Sequence, residues 1–275
     1  MGALLGSIVV EACHLTTERG PSRAADAIGA HRHAIDDGFE LVDLTHVLAP
    51  SSPYIEVPNA TFPFRRTPIA TIATRQVYAN RWELTEHIGT HVDAPCHFAE
   101  HGRCLEALPI RDFLAEAVVI DLQARAAVDP DTELTLADLA TWEAANGSFP
   151  SRCAVLMRSG WEDRWPSQSR FANVDARGGM HFPGFSRAAV ERLATMPQVL
   201  GIGVDTLSID PGRDTRYEGH RAWAAADKWA IECLANLSRL PARGAHIFAG
   251  ALRVESASGS PARVVAWVPK EGKRT

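Results

Sequence analysis

The sequence predicts an α/β domain, and three observations carry that expectation. Compact apolar runs of strand length recur at residues 117–122, 153–157 and 199–204. Segments with helical spacing and recognisable start and stop signals lie between them. The order strand, helix, strand across residues 153–204 reads as one right-handed crossover unit, which places two strands parallel in one sheet.

Composition agrees with a folded domain of ordinary type. The 275 residues are 46% hydrophobic and 22% charged, enough for one large or two small domains with a buried core. The formal net charge is −5 and no basic run occurs, so nucleic acid is not expected as a partner. Residues 3–10 are mostly apolar, but no Lys or Arg precedes them and Glu11 follows. That is a poor signal peptide and too short for a membrane span. Cys13, Cys96, Cys104, Cys153 and Cys233 are odd in number, widely spaced and without a CxxC pair. They read as free thiols in a reducing compartment, hence a cytoplasmic protein.

Residues 1–39 read as a helical arm. Ser22 caps a helix whose Ala24, Ala27, Ile28, His31 and Ile35 share a face, and Gly38 ends it. Gly20-Pro21 separates it from an earlier helix, and packing on a partner subunit is a role open to the arm. The main domain then covers 40–275. Leu41, Val42 and Leu44 mark a short buried strand. Residues 49–68 hold five prolines and no periodicity, the mark of a binding loop. Residues 69–78 and 81–86 read as two strands with Asn80 in the turn, the second leading into His87. Residues 105–113 read as irregular. Thr135 and Asp138 form a capping-box start to a helix that Gly147 stops. The strand at 153–157 runs into Arg158, which either binds an anionic group or makes a surface ion pair. Ser186 caps a helix with Ala189, Val190 and Leu193 inward. Asp205 and Thr206 fall at the end of the 199–204 strand in a supporting or structural role.

The chemistry concentrates at residues 87–97, His-Ile-Gly-Thr-His-Val-Asp-Ala-Pro-Cys-His. Three of the chain's 11 histidines fall here, with a carboxylate among them. Imidazole and carboxylate are nitrogen and oxygen ligands suited to zinc or manganese. His87 and His91 have helical i, i+4 spacing, but Gly89 lies between them, Pro95 follows and no apolar period accompanies them. A loop or strand end is therefore expected, with Gly89 allowing close backbone approach. His46 is a further histidine, as a ligand or a hydrogen-bonded structural residue. Downstream, His220 and Glu232 are twelve apart, which on one helix would set them about 120° round from each other. A loop carrying His220, then a short strand Trp229-Ala230-Ile231 with Glu232 at its end, brings them together more easily. Leu234 and Leu237 then begin a helical turn before Pro241.

The window resembles the signature of the cyclase family, His-x-Gly-Thr-His-x-Asp-x-Pro-x-His, with every fixed position met by His87, Gly89, Thr90, His91, Asp93, Pro95 and His97. Asp43-Leu-Thr-His46 and Gly203-Val-Asp-Thr-Leu-Ser-Ile-Asp210 are similar to further blocks of that family, and the likeness covers about residues 40–269. The resemblance implies a swivelling β/β/α fold: a central mixed sheet curled into a partial barrel with helices outside. It implies that His87, His91 and Asp93 hold a catalytic ion and that His97 is the general acid/base, a task suited to an imidazole titrating near neutral pH. It implies an aromatic contact to substrate from the proline-rich segment, for which Tyr54, Phe62 and Phe64 are the candidates. Family members are commonly dimers or tetramers, so a homodimer or homotetramer is expected.

Two branches of the family are mixed here. His220, eleven residues and then Glu232 resembles the kynurenine formamidases, where such a pair joins the motif Asp in holding a second zinc. Ala235-Asn-Leu237, Leu240-Pro241, Ser258-Gly-Ser-Pro261 and the stretch from Leu134-Thr135 to Trp142-Glu143-Ala144 resemble isatin hydrolases. That branch holds a single manganese and lacks a Glu matching Glu232. The expectation is therefore Zn²⁺ or Mn²⁺, one or two ions per chain, and hydrolysis of a small-molecule substrate, an amide or lactam. A lyase or cyclase acting on a β-carbonyl metabolite is the rival enzyme reading. A metal-stabilised binding protein is the non-enzyme alternative, for which a fourth, unligated His97 has no use.

Overall fold

The computed structural model describes residues 38–270. The helical arm expected over 1–39, with its Ser22 cap, falls outside them except for its last two residues, and Cys13 falls outside with it. Among the described residues the strands are, in chain order, β1 (Phe39–Asp43), β2 (Arg65–Ala70), β3 (Ala79–Glu83), β4 (His91–Asp93), β5 (Leu114–Asp121), β6 (Glu133–Leu134), β7 (Cys153–Arg158), β8 (Gly184–Phe185), β9 (Val199–Val204), β10 (Trp229–Glu232), β11 (His246–Ala251) and β12 (Gly259–Pro269).

The main sheet runs β1-β12-β11-β5-β7-β9-β10-β4, and a further β12–β4 pairing closes seven of these strands into a ring. This is the barrel-like mixed sheet that the family resemblance implied, with helices packed outside. Closure depends on the length of β12. Its start, Gly259–Pro261, pairs with β4, while its far end pairs with β1. The β5–β7–β9 segment is parallel, and its strands are buried on both faces, so they read as unbroken apolar runs. Alternation then sorts their side chains. Ala117, Val119, Ala154 and Leu156 fill the ring with Val92, Trp229, Ile231 and Val264. Val118, Ile120, Val155 and Met157 face the helices.

Those helices form where local signals are complete. Helix Leu136–Asn146 starts on Thr135, whose N–H and hydroxyl both donate to the Asp138 carboxylate at 2.8 Å, and it stops at Gly147 with φ +83°. Its Leu139 and Trp142 are buried, and the Trp142 indole N–H donates to the Val119 carbonyl of β5 at 3.0 Å. Helix Arg187–Ala194 is capped by Ser186 and turns Ala189, Val190 and Leu193 inward, as the spacing predicted.

Four expectations fail. In the strand read as buried, Val42 and Leu44 are buried but Leu41 is exposed on an edge strand. Residues 69–78 are not one strand: β2 ends at Ala70, and Thr71 caps a short helix, Ile72–Arg75, through a reciprocal exchange with Thr74. Asn80 consequently pairs with Pro68 inside the hairpin rather than sitting in its turn, and β3 ends at Glu83, short of His87. His220 lies on a helix, Glu218–Ala225, not in a loop; the following turn, not one continuous helix, redirects the chain into β10. The cysteines are not all free thiols either. Cys96 and Cys104 form a disulfide across a separation of 8, leaving Cys153 and Cys233 as buried free thiols among the described residues. Spacing alone concealed this pair, because the 3₁₀ turn Pro95–His97 folds the chain back on itself.

Candidate metal centre

Strand geometry assembles the centre. His91 and Asp93 are two apart on β4, so their side chains share a face. Glu232, the last residue of β10, is directly opposite His91 in antiparallel register, and opposed residues project to the same side. All three therefore meet without any bend in the sheet. His87 precedes β4 and reaches the same place because Gly89 turns the chain at φ +64°. Thr90 anchors that turn: its hydroxyl donates to the Cys233 carbonyl at 2.6 Å and accepts the His46 N–H at 2.9 Å. His220 comes from the helix layer outside the ring, on the first turn of its helix.

The resulting distances are short. His91 Nε2 is 3.2 Å from Asp93 Oδ1 and 3.3 Å from Glu232 Oε2. His220 Nε2 is 3.1 Å from Glu232 Oε1 and 3.5 Å from Asp93 Oδ2. His87 Nδ1 is 2.6 Å from Asp93 Oδ1. Ligating atoms of His87, Asp93 and His97 lie within 4.8 Å of one another, as do those of His91, Asp93 and Glu232, so Asp93 is common to both groups. Two atoms in the middle, His91 Nε2 and Asp93 Oδ2, are buried and have no hydrogen-bond partner. A buried polar atom left unpaired is costly, and a divalent cation would satisfy both of these at once. The donor set fits a metal ion.

The charges point the same way. His91, Asp93, His220 and Glu232 are each buried. Burial disfavours the cationic form of His91, yet the Asp93 and Glu232 carboxylates raise it to about 10. His220 is likewise held well above its ordinary value against burial, by its hydrogen bond to Asp210 and by the Asp93 and Glu232 carboxylates beside it. Burial pushes Asp93 upward, and the neighbouring imidazoles hold it well below the carboxylate range instead. A metal must displace any proton held on its ligands, so its affinity rises with pH.

His97 stands beside this group rather than within its shortest contacts. Its ring stacks on His87 with centroids 3.7 Å apart and meets His220 edge-on at 6.0 Å. Burial lowers it to about 4, which keeps it neutral near pH 7. A cavity of about 270 Å³ opens over the centre, lined by His87, His91, His97, His220 and Glu232 together with an apolar wall.

Of the aromatic candidates, Tyr54 lines this cavity, as do its neighbours Pro53, Ile55 and Val57. Phe62 and Phe64 do not: Phe62 lies under the Arg65 guanidinium, and Phe64 packs edge-on against Trp82. Arg158 is also away from the cavity, bound to Asp121 at 2.6 Å and Gln123 at 2.5 Å. The parallel register that sets Arg158 opposite Asp121 accounts for the surface pairing. His46 stacks on Trp165 at 4.3 Å. Asp205 accepts N–H groups from Ser159, Gly160 and Trp161, tying down the loop after β7.

Sequence reasoning missed Phe98, Tyr217 and Asp210. Phe98 and Tyr217 form the cavity wall, with ring centroids 5.4 Å apart. Phe98 directly follows the motif, and Tyr217 is one turn before His220, so proximity to ligands was the available signal. Asp210 lies 2.6 Å from His220 Nδ1, and no local pattern announces that contact.

Comparison with known proteins agrees with this geometry. The family model described as "Putative cyclase" matches residues 42–211. An isatin hydrolase from Roseibium aggregatum is 33% identical over 247 residues, spanning 84% of this chain and 92% of that protein. A kynurenine formamidase from Paracidovorax citrulli is 28% identical over 219 residues, 75% of this chain and 88% of the relative. A solved isatin hydrolase bound to the product analogue thioisatinate superposes with a TM-score of 0.83 at 30% identity, covering 91% of this chain and all (100%) of that one. A match over most of the described chain, in motif, sequence and fold alike, leaves one conclusion: this chain belongs to the cyclase family.

Proposed function

We propose that this chain is a metal-dependent hydrolase of a small amide, and that a lactam of the isatin type is the substrate class it fits best. One observation carries the reading: a buried His–Asp–Glu–His cluster, with two unpaired polar atoms at its middle, forms the floor of an apolar-walled cavity. The sequence likeness to an isatin hydrolase over most of both chains supports the lactam, and the likeness to kynurenine formamidases supports an N-formyl aryl amine as the second substrate to try. His87, His91 and Asp93 hold the first ion in this proposal, and His220 and Glu232, sharing Asp93, hold a second. Mixed nitrogen and oxygen donors suit Zn²⁺ or Mn²⁺.

When bound, such an ion supplies Lewis acidity, polarising the amide carbonyl and lowering the pKa of water toward 7. The chain's own residues do the rest. Neutral His97 takes a proton from the attacking water and, as the cation, returns it to the departing nitrogen. The new C–O bond and the broken C–N bond leave a free amine and a carboxylic acid, which releases its remaining proton to water to become the carboxylate. His87, stacked on His97, fixes the plane of the ring. Phe98, Tyr217 and Tyr54 present aromatic surface to the substrate and exclude bulk water.

The cytoplasm and a homodimer or homotetramer complete the proposal. The hairpin β2–β3 pairs only within itself in the sheet topology and exposes Ile69, Ile72, Val77, Tyr78 and Trp82, an apolar surface that a second copy would cover. The test is metal analysis of the purified protein, with hydrolysis of isatin and of an N-formyl aryl amine assayed after chelation and after reloading with zinc or manganese. We expect activity to vanish and return with the ion, and Glu232→Ala to lower the content from two ions to one. Full activity in verified metal-free protein sinks the reading; one ion in both proteins removes the second site.

A further inference from the structure

The ring of His220 has two nitrogens, and only one faces the centre. We infer that Asp210 is a positioning residue of the metal centre: it holds His220 as the Nδ1–H tautomer, leaving the Nε2 lone pair directed at Asp93 and Glu232. This rests on the metal-dependent reading of the site.

The geometry is built for that purpose. Asp210 is only 2% exposed. Its Oδ2 lies 2.6 Å from His220 Nδ1 and 3.2 Å from the His220 N–H, while Oδ1 accepts the Gly219 N–H at 2.6 Å. A Cβ at residue 219 would come within 2.3 Å of Oδ1, so glycine is what lets the carboxylate approach the backbone. An ionised carboxylate only accepts, so Nδ1 must carry a hydrogen, and Nε2 is the nitrogen left to face Asp93 and Glu232. The same rule is applied to His91 by different means: its Nδ1 is 2.8 Å from the Gly89 carbonyl, which also only accepts. His87 presents the opposite nitrogen: the Ser258 hydroxyl donates to Glu86 at 2.5 Å and so accepts from His87 Nε2 at 3.0 Å, leaving Nδ1 to face Asp93 at 2.6 Å. Each of these histidines thus has an outer partner on the nitrogen turned away from the centre, and for His220 that partner is Asp210. Partners of this kind typically alter metal affinity about ten- to a hundredfold.

The isosteric change Asp210→Asn separates positioning from packing. The amide must present its oxygen to one side and its NH2 to the other. Each side also meets a backbone N–H that cannot cease to be a donor, Gly219 at 2.6 Å and His220 at 3.2 Å; the closer contact, at Gly219, tolerates an NH2 least, and the imidazole can move its hydrogen. The amide oxygen therefore goes to Gly219 and the NH2 to Nδ1, and His220 becomes the Nε2–H tautomer with a hydrogen aimed at Asp93 and Glu232. An analogous Asp→Asn change in a serine-protease triad leaves the geometry intact and the tautomer wrong.

The measurement combines side-chain ¹⁵N NMR of the histidines in chelated protein, at a pH alkaline enough for the rings to be neutral, with zinc and manganese titrations against a competing chelator. Wild type is expected to show neutral His220 with Nδ1–H. Asp210→Asn is expected to show Nε2–H, to bind the ion filling the Glu232 half-site about ten- to a hundredfold more weakly, and to keep a melting temperature near that of wild type. A wild-type His220 with Nε2–H overturns the inference, and needs no variant to fold. So does an Asp210→Asn protein that binds metal as wild type does. Failure of wild type to bind any ion overturns instead the reading of the site, and is seen before the variant is made.

Discussion

At the scale of single residues, His97 and His46 show how differently two buried histidines are used. Both are lowered to about 4, chiefly by burial. His97 lines the cavity, whereas His46 lies in an aromatic contact with Trp165 and Phe171. For His97 we expect His97→Asn to keep fold and metal content while turnover falls about 10²–10⁴-fold, the usual contribution of a general acid/base. Turnover, metal analysis and melting temperature on one preparation check this: unchanged turnover removes His97 from the mechanism, and loss of metal together with activity makes it a ligand. For His46 the consequence is a pH dependence of stability. The folded state keeps the ring neutral, while the unfolded chain takes up a proton below about pH 6.5. The stabilisation is complete above that pH and is lost as pH falls from 6.5 toward 4, by at most about 3 kcal/mol. His46→Phe retains a ring against Trp165 and removes this slope. In melting temperatures measured from pH 4.5 to 7.5, both proteins in chelator, wild type should fall relative to His46→Phe as the pH drops; parallel curves would contradict the account.

At the scale of elements, the segment carrying His97 is held at several points. The Cys96–Cys104 bond closes it, and the Cys96 N–H donates to the Arg103 carbonyl at 3.2 Å. The Arg103 guanidinium pairs with Asp227 at 2.5 Å, in the turn between the His220 helix and β10. One short loop therefore couples His97, the proposed acid/base, to the turn joining the two elements that each supply one candidate ligand. Closing a loop of this length contributes about 2.5 kcal/mol in the chain-entropy account. Reduction with a dithiol, or Cys104→Ser, should lower stability by up to that amount and increase hydrogen exchange around Phe98. Identical denaturation curves for oxidised and reduced protein would show that the bond contributes nothing. In a reducing cytoplasm this same bond would open, so thiol titration of freshly prepared protein also bears on the location proposed.

At the scale of the whole molecule, the closed ring buries its apolar faces, but the hairpin β2–β3 remains outside it. A two-stranded hairpin is marginal by itself, and this one exposes Trp82 at 66% and Tyr78 at 59%. Trp82→Asp should therefore shift the protein toward monomer in light scattering at micromolar concentration. A wild-type protein already monomeric, or a variant with the wild-type mass, removes the hairpin as an interface. Among the described residues no helix is long and apolar enough to cross a membrane.

What the sequence by itself determined was local. The strands β5, β7 and β9 were legible because burial on both faces forces unbroken apolar runs. The helices after Thr135 and Ser186 were legible because their caps are adjacent in the chain. The His87–His97 window was legible because ligands two and four residues apart can be read without knowing the fold. Tertiary structure alone decided the rest. That Glu232 faces His91 follows from the register of β10 on β4, and no local signal encodes a register between strands more than a hundred residues apart. That Cys96 meets Cys104, and that Arg158 spends its charge on Asp121 rather than on a substrate, depends on how a turn closes and which strands lie side by side. Asp210 is the clearest case. It is an ordinary acidic residue in the chain, and it controls a histidine ten positions later only because Gly219 lets the helix start against its carboxylate.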